Sequence, residues 1–271
     1  AAVQVNHSFL RTSRSNRGKL FIIDRTTGRR VSYGRALTAA LLLSDHMKSL
    51  APGFIGVMLP TSAAASLTII ATLLSGRTPV MINYALGAEA NARSAQSRCG
   101  FKSIITSKAL IARIGCERVD GMIFVEDIFA SVSELKKLAY AIRSFLPASL
   151  LARPTQGRDE DDTAVVLFTS GSEREPKLVQ LSHRNIASNI WAMSKAFHVT
   201  KEDTILASLP FFHVFGLTTT LWLPVLREMT AVTCANPLDF AGVCEACREE
   251  RPTIMVGTPS FCYGYLRKSR P

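Results

Sequence analysis

Thr163-Ala164-Val165-Val166-Leu167-Phe168-Thr169-Ser170-Gly171-Ser172-Glu173-Arg174-Glu175-Pro176-Lys177 is the stretch from which the rest of the chain can be read. Residues 163–168 are apolar enough for a buried strand. A short run of hydroxyls and one glycine follows, closed by a single lysine. Ser182 then offers an N-cap for a helix carrying Ile186, Ile190, Met193 and Phe197. Strand, hydroxyl-rich loop and helix together suit a polyphosphate cradle. Backbone N–H groups and three hydroxyls can donate to phosphate oxygens, Gly171 lets the backbone approach, and Lys177 adds a point charge. Loops of this composition are also ordinary turns. The stretch is not a G-x-x-x-x-G-K-[ST] loop, since Pro176 precedes the lysine and Leu178 follows it. No G-x-G-x-x-G occurs anywhere in the chain.

Working outward, residues 20–24 read as a strand, 26–28 as its turn and 30–33 as the return strand. Residues 33–50 carry Leu37, Ala40, Leu41 and Met47 at helical spacing. A buried strand is predicted at 54–59, then a helix capped by Thr61 or Ser62 and stopped by Gly76. Further strands are predicted at 78–82, 102–106 and 123–125, with a helix at 88–99. This alternation predicts an α/β fold, with mainly parallel sheets covered by helices. Residues 131–145 form an amphipathic helix with Leu135, Leu138, Ile142 and Phe145 on one side. Core packing is the common use of such a stripe, and a membrane-lying helix is the alternative. A proline-containing stretch and the acids at 159–162 follow, so a first α/β subdomain is expected at 1–158 and the start of a second at 159–271.

The chain has 271 residues, 47% of them apolar, enough for a sizeable core. No apolar run reaches the roughly 18 to 20 residues that span a bilayer. Lys plus Arg number 32 against 21 acids, a balance of +11. Between residues 1 and 35 eight bases stand against one acid, Asp24. Such an arm is a solvated segment or a contact for an anionic partner, and its Ser and Arg content also has the look of a transit peptide. No nucleic-acid-binding signature accompanies the charge, so no nucleic-acid partner is expected. Six cysteines without a signal peptide suggest reduced thiols and a cytoplasmic protein. Cys244 and Cys247 have C-x-x-C spacing, but Phe240 and Val243 extend them into one helix face. A buried face is preferred to a metal site, and no metal ligand is assigned.

The run Leu167-Phe168-Thr169-Ser170-Gly171-Ser172-Glu173 with Pro176-Lys177 resembles the phosphate loop of the adenylate-forming (AMP-binding) superfamily. That superfamily includes acyl-CoA synthetases, luciferases and peptide-synthetase adenylation domains. Leu209-Pro210-Phe211-Phe212-His213-Val214-Phe215-Gly216-Leu217 is a second match, and Val256-Gly257-Thr258-Pro259-Ser260-Phe261 a third. Val31-Ser32-Tyr33 and Gly56-Val57-Met58-Leu59-Pro60-Thr61-Ser62 resemble the family's opening. The Ser172-Glu173 form of the loop is most similar to the acyl-[acyl-carrier-protein] synthetase branch. That branch includes the synthetase part of 2-acylglycerophosphoethanolamine acyltransferase/acyl-ACP synthetase.

The resemblance implies part of the N-terminal domain of the adenylate-forming fold, and ATP-dependent activation of a fatty acid as an acyl-adenylate. Transfer to acyl-carrier protein or CoA would follow. Thr169, Ser170, Gly171, Ser172 and Lys177 would hold the β and γ phosphates of ATP, and Glu173 would belong to the same nucleotide site. His213 would stand near the reacting carboxylate, and Phe212, His213, Phe215, Gly216 and Thr258 would shape the acyl site. Amino-acid-activating members place an Asp near the aromatic motif, and residues 211–217 have none, so a substrate without an amine is implied. The apolar run 217–226 suits an acyl pocket or a plain core helix. His183, at a helix start, is expected to be a surface or capping residue.

Mg2+ is implied too, its ligand lying beyond Pro271 together with a small barrel and the C-terminal lid. The chain is therefore expected to be an incomplete, inactive piece of a cytoplasmic enzyme with a peripheral membrane contact. Two departures stand out: Arg174 and Leu178 replace glycines of the usual loop, and neither accepts positive φ well. They motivate a second reading, a non-catalytic acyl- or nucleotide-binding homologue.

Overall fold

The computed structural model describes residues 3–169 and 176–269. Helix α1 is Val5–Ser15, in the segment expected to be a basic arm. It is a packed helix: Val5, Phe9 and Leu10 are fully buried while Arg11 and Arg14 face solvent. Strand β1 (Leu20–Asp24) turns back into β2 (Arg29–Ser32), and Ser32 caps α2 (Tyr33–Lys48) by accepting from the Arg35 N–H. Strand β3 (Phe54–Met58) leads to α3 (Ala63–Leu74), which Ser62 caps. Helix α3 is apolar all round and touches strands of both sheets, so it is a central buried element.

Strand β4 (Thr78–Met81), α4 (Ala88–Cys99), β5 (Ile104–Thr106), α5 (Lys108–Ile114) and β6 (Met122–Phe124) continue the alternation. The strand expected at 123–125 ends early, because Val125 already begins α6 (Val125–Ala130). Helix α7 (Glu134–Arg143) and the short α8 (Ala148–Leu151) precede β7 (Thr163–Thr169) and β8 (Lys177–Ser182). Then come α9 (His183–Ala196), β9 (Thr204–Ala207), α10 (Val214–Leu217), a π-helical turn Thr218–Trp222, and α11 (Leu223–Arg227). Strand β10 (Thr230–Thr233), α12 (Phe240–Glu250), β11 (Ile254–Met255) and α13 (Pro259–Ser269) complete the chain.

Among the described residues the strands form two sheets, ordered β6-β5-β3-β4-β7-β8 and β11-β9-β10-β1-β2. All neighbours pair in parallel except the hairpins β7–β8 and β1–β2, which place an antiparallel strand at one edge of each sheet. The α/β class with mainly parallel sheets is as the sequence predicts. Pairing crosses the expected 158/159 boundary in both directions. Strands β7 and β8 complete the sheet of β3–β6, while β1 and β2 join β9–β11.

Two polar ties hold the layers. The buried Asp24 carboxylate accepts from the Thr26 and Thr27 N–H groups at 3.0 Å each and from the Ala63 N–H, at the start of α3, at 2.8 Å. Tyr33 donates to the carbonyls of Pro224 (3.0 Å) and Met229 (2.7 Å), joining α2 to the chain around α11. The run 217–226 is core: Leu217, Leu221, Trp222, Leu223 and Val225 are all buried in the main cluster.

The stripe on α7 departs from the core-packing expectation. Leu135, Leu138, Ile142 and Phe145 are all exposed. The C-x-x-C pair lies on α12, with Cys244 buried and Cys247 half-buried, packed against Val243 and Tyr265. Among the described residues no helix is long and apolar enough to cross a membrane, and no group of three His, Cys, Asp or Glu is placed to hold a metal ion.

Candidate active site

Parallel pairing brings the C-terminal ends of β3, β4 and β7 to one edge of the larger sheet. The same holds for β9, β10 and β11 in the smaller sheet. The loops leaving these ends carry most of the residues that the sequence singles out. Ligands of parallel α/β sheets sit at such edges.

Residues 170–175, with Ser170, Gly171, Ser172 and Glu173 of the expected nucleotide site, lie outside the described residues. Their flanks are placed. Thr169 ends β7, Lys177 opens β8, and the two are Cα partners across the antiparallel pair. The expected order of strand, loop and helix therefore needs correction: the loop joins two strands, and helix α9 begins only at His183. The missed strand reads Lys-Leu-Val-Gln-Leu-Ser with a largely exposed pattern, so its apolar residues gave a weak period-two signal. Leu178 sits inside this strand opposite Phe168, in extended backbone that any residue adopts. Positive φ among described non-glycine residues occurs only at His198, Glu228 and Arg251. Leu178 therefore costs the loop nothing, and the concern about lost glycines narrows to Arg174.

Below the hairpin, Arg98 of α4 donates to the Pro176 carbonyl at 2.7 Å, its guanidinium 5.5 Å from the Phe168 ring centroid. Phe168, Pro176, Ile82, Asn83, Asn91 and Ser94 line a cavity of about 120 Å³ here. Asn91 donates to the carbonyls of Asn83 (2.9 Å) and Leu86 (2.8 Å), fixing the loop after β4.

The motif 209–217 follows β9. Thr61, just past β3, donates to the Leu209 carbonyl at 2.8 Å, so loops from the two sheets are bonded to each other. Phe211 and Phe212 are buried, and Phe212 meets Tyr84 edge to face with centroids 5.0 Å apart. His213 follows at the start of α10, its ring centroid 4.5 Å from that of Phe212. Its outer side is open to solvent, yet partial desolvation holds its pKa below the ordinary histidine value. The ring is therefore mainly neutral near pH 7, able to accept at one nitrogen and donate at the other.

Gly216 has a packing role. A Cβ there would lie 2.4 Å from the Pro210 carbonyl oxygen, so only glycine lets α10 come this close to the preceding turn. Phe215, half-exposed, lines a cleft of about 300 Å³ with Val214, Ile186, Met193, Asn185 and Asn189. One wall is the π-helical turn, where Thr219 and Thr220 donate to the carbonyls of Phe215 (2.6 Å) and Gly216 (2.7 Å). Thr258 is exposed at the end of the loop after β11, its carbonyl accepting from the Cys262 N–H at 3.1 Å. It shares the sheet edge with His213. His183 is the opposite of a surface residue: it is buried, and its Nδ1 accepts from the Val5 N–H at 3.3 Å.

The AMP-binding enzyme family model matches residues 9–271. The chain belongs to this family. Among relatives, it is 34% identical over 137 residues to the hybrid PKS-NRPS synthetase pvhA of Talaromyces variabilis, which covers 50% of this chain and 3% of that protein. It is 30% identical over 118 residues to the long-chain-fatty-acid–CoA ligase ACSBG2 of Homo sapiens, covering 43% of this chain and 18% of the ligase. The N-terminal domain of FACL13 from Mycobacterium tuberculosis, solved with an inhibitor bound, superposes with a TM-score of 0.78 at 21% identity. That match covers 97% of this chain and 64% of the other. The fold is thus that of the N-terminal domain of adenylate-forming enzymes, and this chain spans well under two thirds of the length of its curated relatives.

Sequence reading of this AMP-binding family member missed Tyr84, Asn83, Asn91, Arg98, Asn185 and Asn189. None lies in a quoted motif. Only tertiary packing, of the loop after β4, of α4 and of α9, brings them to the candidate site.

Proposed function

We propose that this chain carries the ATP-facing half of an AMP-forming ligase that activates a fatty acid as its acyl-adenylate. The observation behind this reading is that the Thr169/Lys177 hairpin and the Tyr84–Phe212–His213 cluster both lie past C-terminal strand ends, with Leu181 of β8 and Phe215 of the motif lining one mostly apolar cleft. Thr169 and Lys177, with Ser170, Gly171 and Ser172 between them, hold the β and γ phosphates, and Glu173 belongs to the same nucleotide site. A lysine point charge and a hairpin mouth with hydroxyls fit a polyphosphate. The substrate carboxylate attacks the α-phosphorus, the bond to the bridging oxygen breaks, and pyrophosphate leaves with its electron pair. Here the protein contributes positioning and charge stabilisation. Mg2+ bound elsewhere in the longer enzyme would neutralise phosphate charge.

Neutral His213 donates one hydrogen bond toward the reacting carboxylate, and Phe212 and Phe215 exclude water around it. The acyl chain occupies the cleft lined by Ile186, Met193, Val214 and Phe215, and Thr258 borders the carboxylate end. No acid lies in 211–217 to pair a substrate ammonium, which supports a plain carboxylic acid. The named ligase activity of ACSBG2 supports CoA as the acceptor. The balance of +11 supports an acidic acyl-carrier protein.

Fatty-acid-dependent ATP–pyrophosphate exchange by the complete protein tests the reading. Exchange that requires a fatty acid is the expected result. A folded complete protein that exchanges with no carboxylic acid would leave the non-catalytic homologue, which Arg174 in the loop supports.

A further inference from the structure

Helix α7 has no buried residue, and its half-buried Tyr140 and Arg143 make its polar contacts with α2. Tyr140 donates to Asp45 Oδ2 at 3.1 Å, Arg143 bonds the same carboxylate, and Lys48 reaches its other oxygen at 2.7 Å, so α7 is pinned to α2 through charge. One turn on, Arg17 donates to the carbonyl and hydroxyl of Ser144 at 2.9 and 2.8 Å, and its guanidinium lies 3.7 Å from the Phe145 ring centroid. The opposite side of α7 is the apolar one. Leu135, Leu138 and Ile142 are 78%, 57% and 65% exposed, and Phe145 is 65% exposed. Leu146 and Leu150 continue the exposed surface toward α8. An amphipathic helix docked by its polar side leaves an apolar ridge in water, and such patches mark interaction sites.

The charge around the ridge points to its occupant. Segments 11–19 and 131–153 hold eight Lys and Arg side chains and one acid, Glu134; Arg17 and Arg143 are engaged by Ser144 and Asp45, while Arg11, Arg14, Lys136 and Arg153 are exposed. Lys137 engages that acid at 2.6 Å. A convex ridge of branched and aromatic side chains flanked by cations needs no shaped pocket on its partner. It needs a fluid apolar phase bordered by anions.

We propose that α7 and residues 145–150 form a contact with anionic bilayers. Leu135, Leu138, Ile142 and Phe145 enter the boundary between headgroups and acyl chains, and the exposed Arg11 and Arg14 of α1 and Lys136 of α7 lie at the lipid phosphates. The inference rests on the fatty-acid reading for its biological sense, since such substrates partition into bilayers, but lipid binding is measured without activity.

The test is flotation of the protein with vesicles of phosphatidylcholine alone or mixed with phosphatidylglycerol. Binding to the mixed vesicles, weakened by added salt, is expected. The double variant Leu138→Ser/Ile142→Ser should lower partitioning at least about tenfold, and Lys136→Gln roughly fivefold. All these side chains are exposed, so folding is spared, and circular dichroism checks it. In Leu138→Trp, the added indole's emission should shift to the blue on mixed vesicles and be quenched by brominated lipid. No binding to mixed vesicles, or equal binding by the double variant, overturns the proposal. Self-association or capture of a purified acidic carrier protein, without vesicle binding and lost in the double variant, also overturns it and reassigns the ridge to a protein partner. A protein that binds vesicles yet shows no pyrophosphate exchange would keep this inference and defeat the proposed activity.

Discussion

Tyr84 and Phe212 meet edge to face, with ring centroids 5.0 Å apart and planes at 89°. They lie 128 positions apart in the chain (212 − 84), on loops leaving the C-terminal ends of β4 and β9, one from each sheet. Tyr84 is nearly buried, and burial drives its hydroxyl pKa up to about 12, so the ring stays neutral. The contact ties the His213 motif to the larger sheet. Edge-to-face pairs of this kind are worth about 0.5–1.5 kcal/mol beyond area burial. Tyr84→Leu should therefore lose at least that much stability in a urea titration, and exchange should slow with it. A variant with full stability and slowed exchange would assign Tyr84 to the substrate instead.

Lys177→Ala in the complete protein should slow pyrophosphate exchange at least tenfold, about 1.4 kcal/mol of transition-state stabilisation. The side chain opens β8 and is exposed, so the fold should survive. An unchanged exchange rate in the folded variant would remove Lys177 from the phosphate site.

Gly216→Ala should destabilise the protein by about 1–3 kcal/mol. The new methyl would meet the Pro210 carbonyl oxygen at 2.4 Å and Leu209 atoms at 3.1 Å, mostly backbone that cannot swing aside. Chemical denaturation reads the change directly. A neutral result would show that the turn at 209–210 yields easily.

His183 makes stability depend on acid. Burial, with the nearby His7 and Arg158 charges, lowers its pKa from 6.5 to about 4. A depressed histidine pKa means that the unfolded chain binds the proton first. The stabilisation is thus present above pH 6.5 and is lost as pH falls toward 4, amounting to about 3 kcal/mol at full extent. His183→Asn can still accept from the Val5 N–H and should flatten this part of the stability–pH curve. Parallel curves for the parent and the variant between pH 6.5 and 4 would refute the assignment.

Much of this fold was legible because its signals are local. Ser62 caps α3, as its hydroxyl before an apolar helical run suggests, and Gly76 follows the end of that helix at positive φ. Strand β8 was not legible. It is a largely exposed edge strand, so neither clear alternation nor an apolar run marks it. The flanks of the proposed phosphate loop, Thr169 and Lys177, were legible as residue types, but their pairing across a hairpin was not.

The sequence by itself determined most of the strand and helix alternation over residues 20–125, the motif residues at 169, 177 and 209–217, and the family they resemble. These rest on spacing, capping and side-chain chemistry within a few turns of the chain. Tertiary structure alone decided that β1 joins β10 rather than β3, that one face of the arm at 5–15 packs into the core, and that His183 lies inside while the α7 stripe lies outside. Periodicity shows that a helix has two faces. Which face meets water depends on partners such as Asp45 for Arg143, about a hundred residues away, and only packing brings them together.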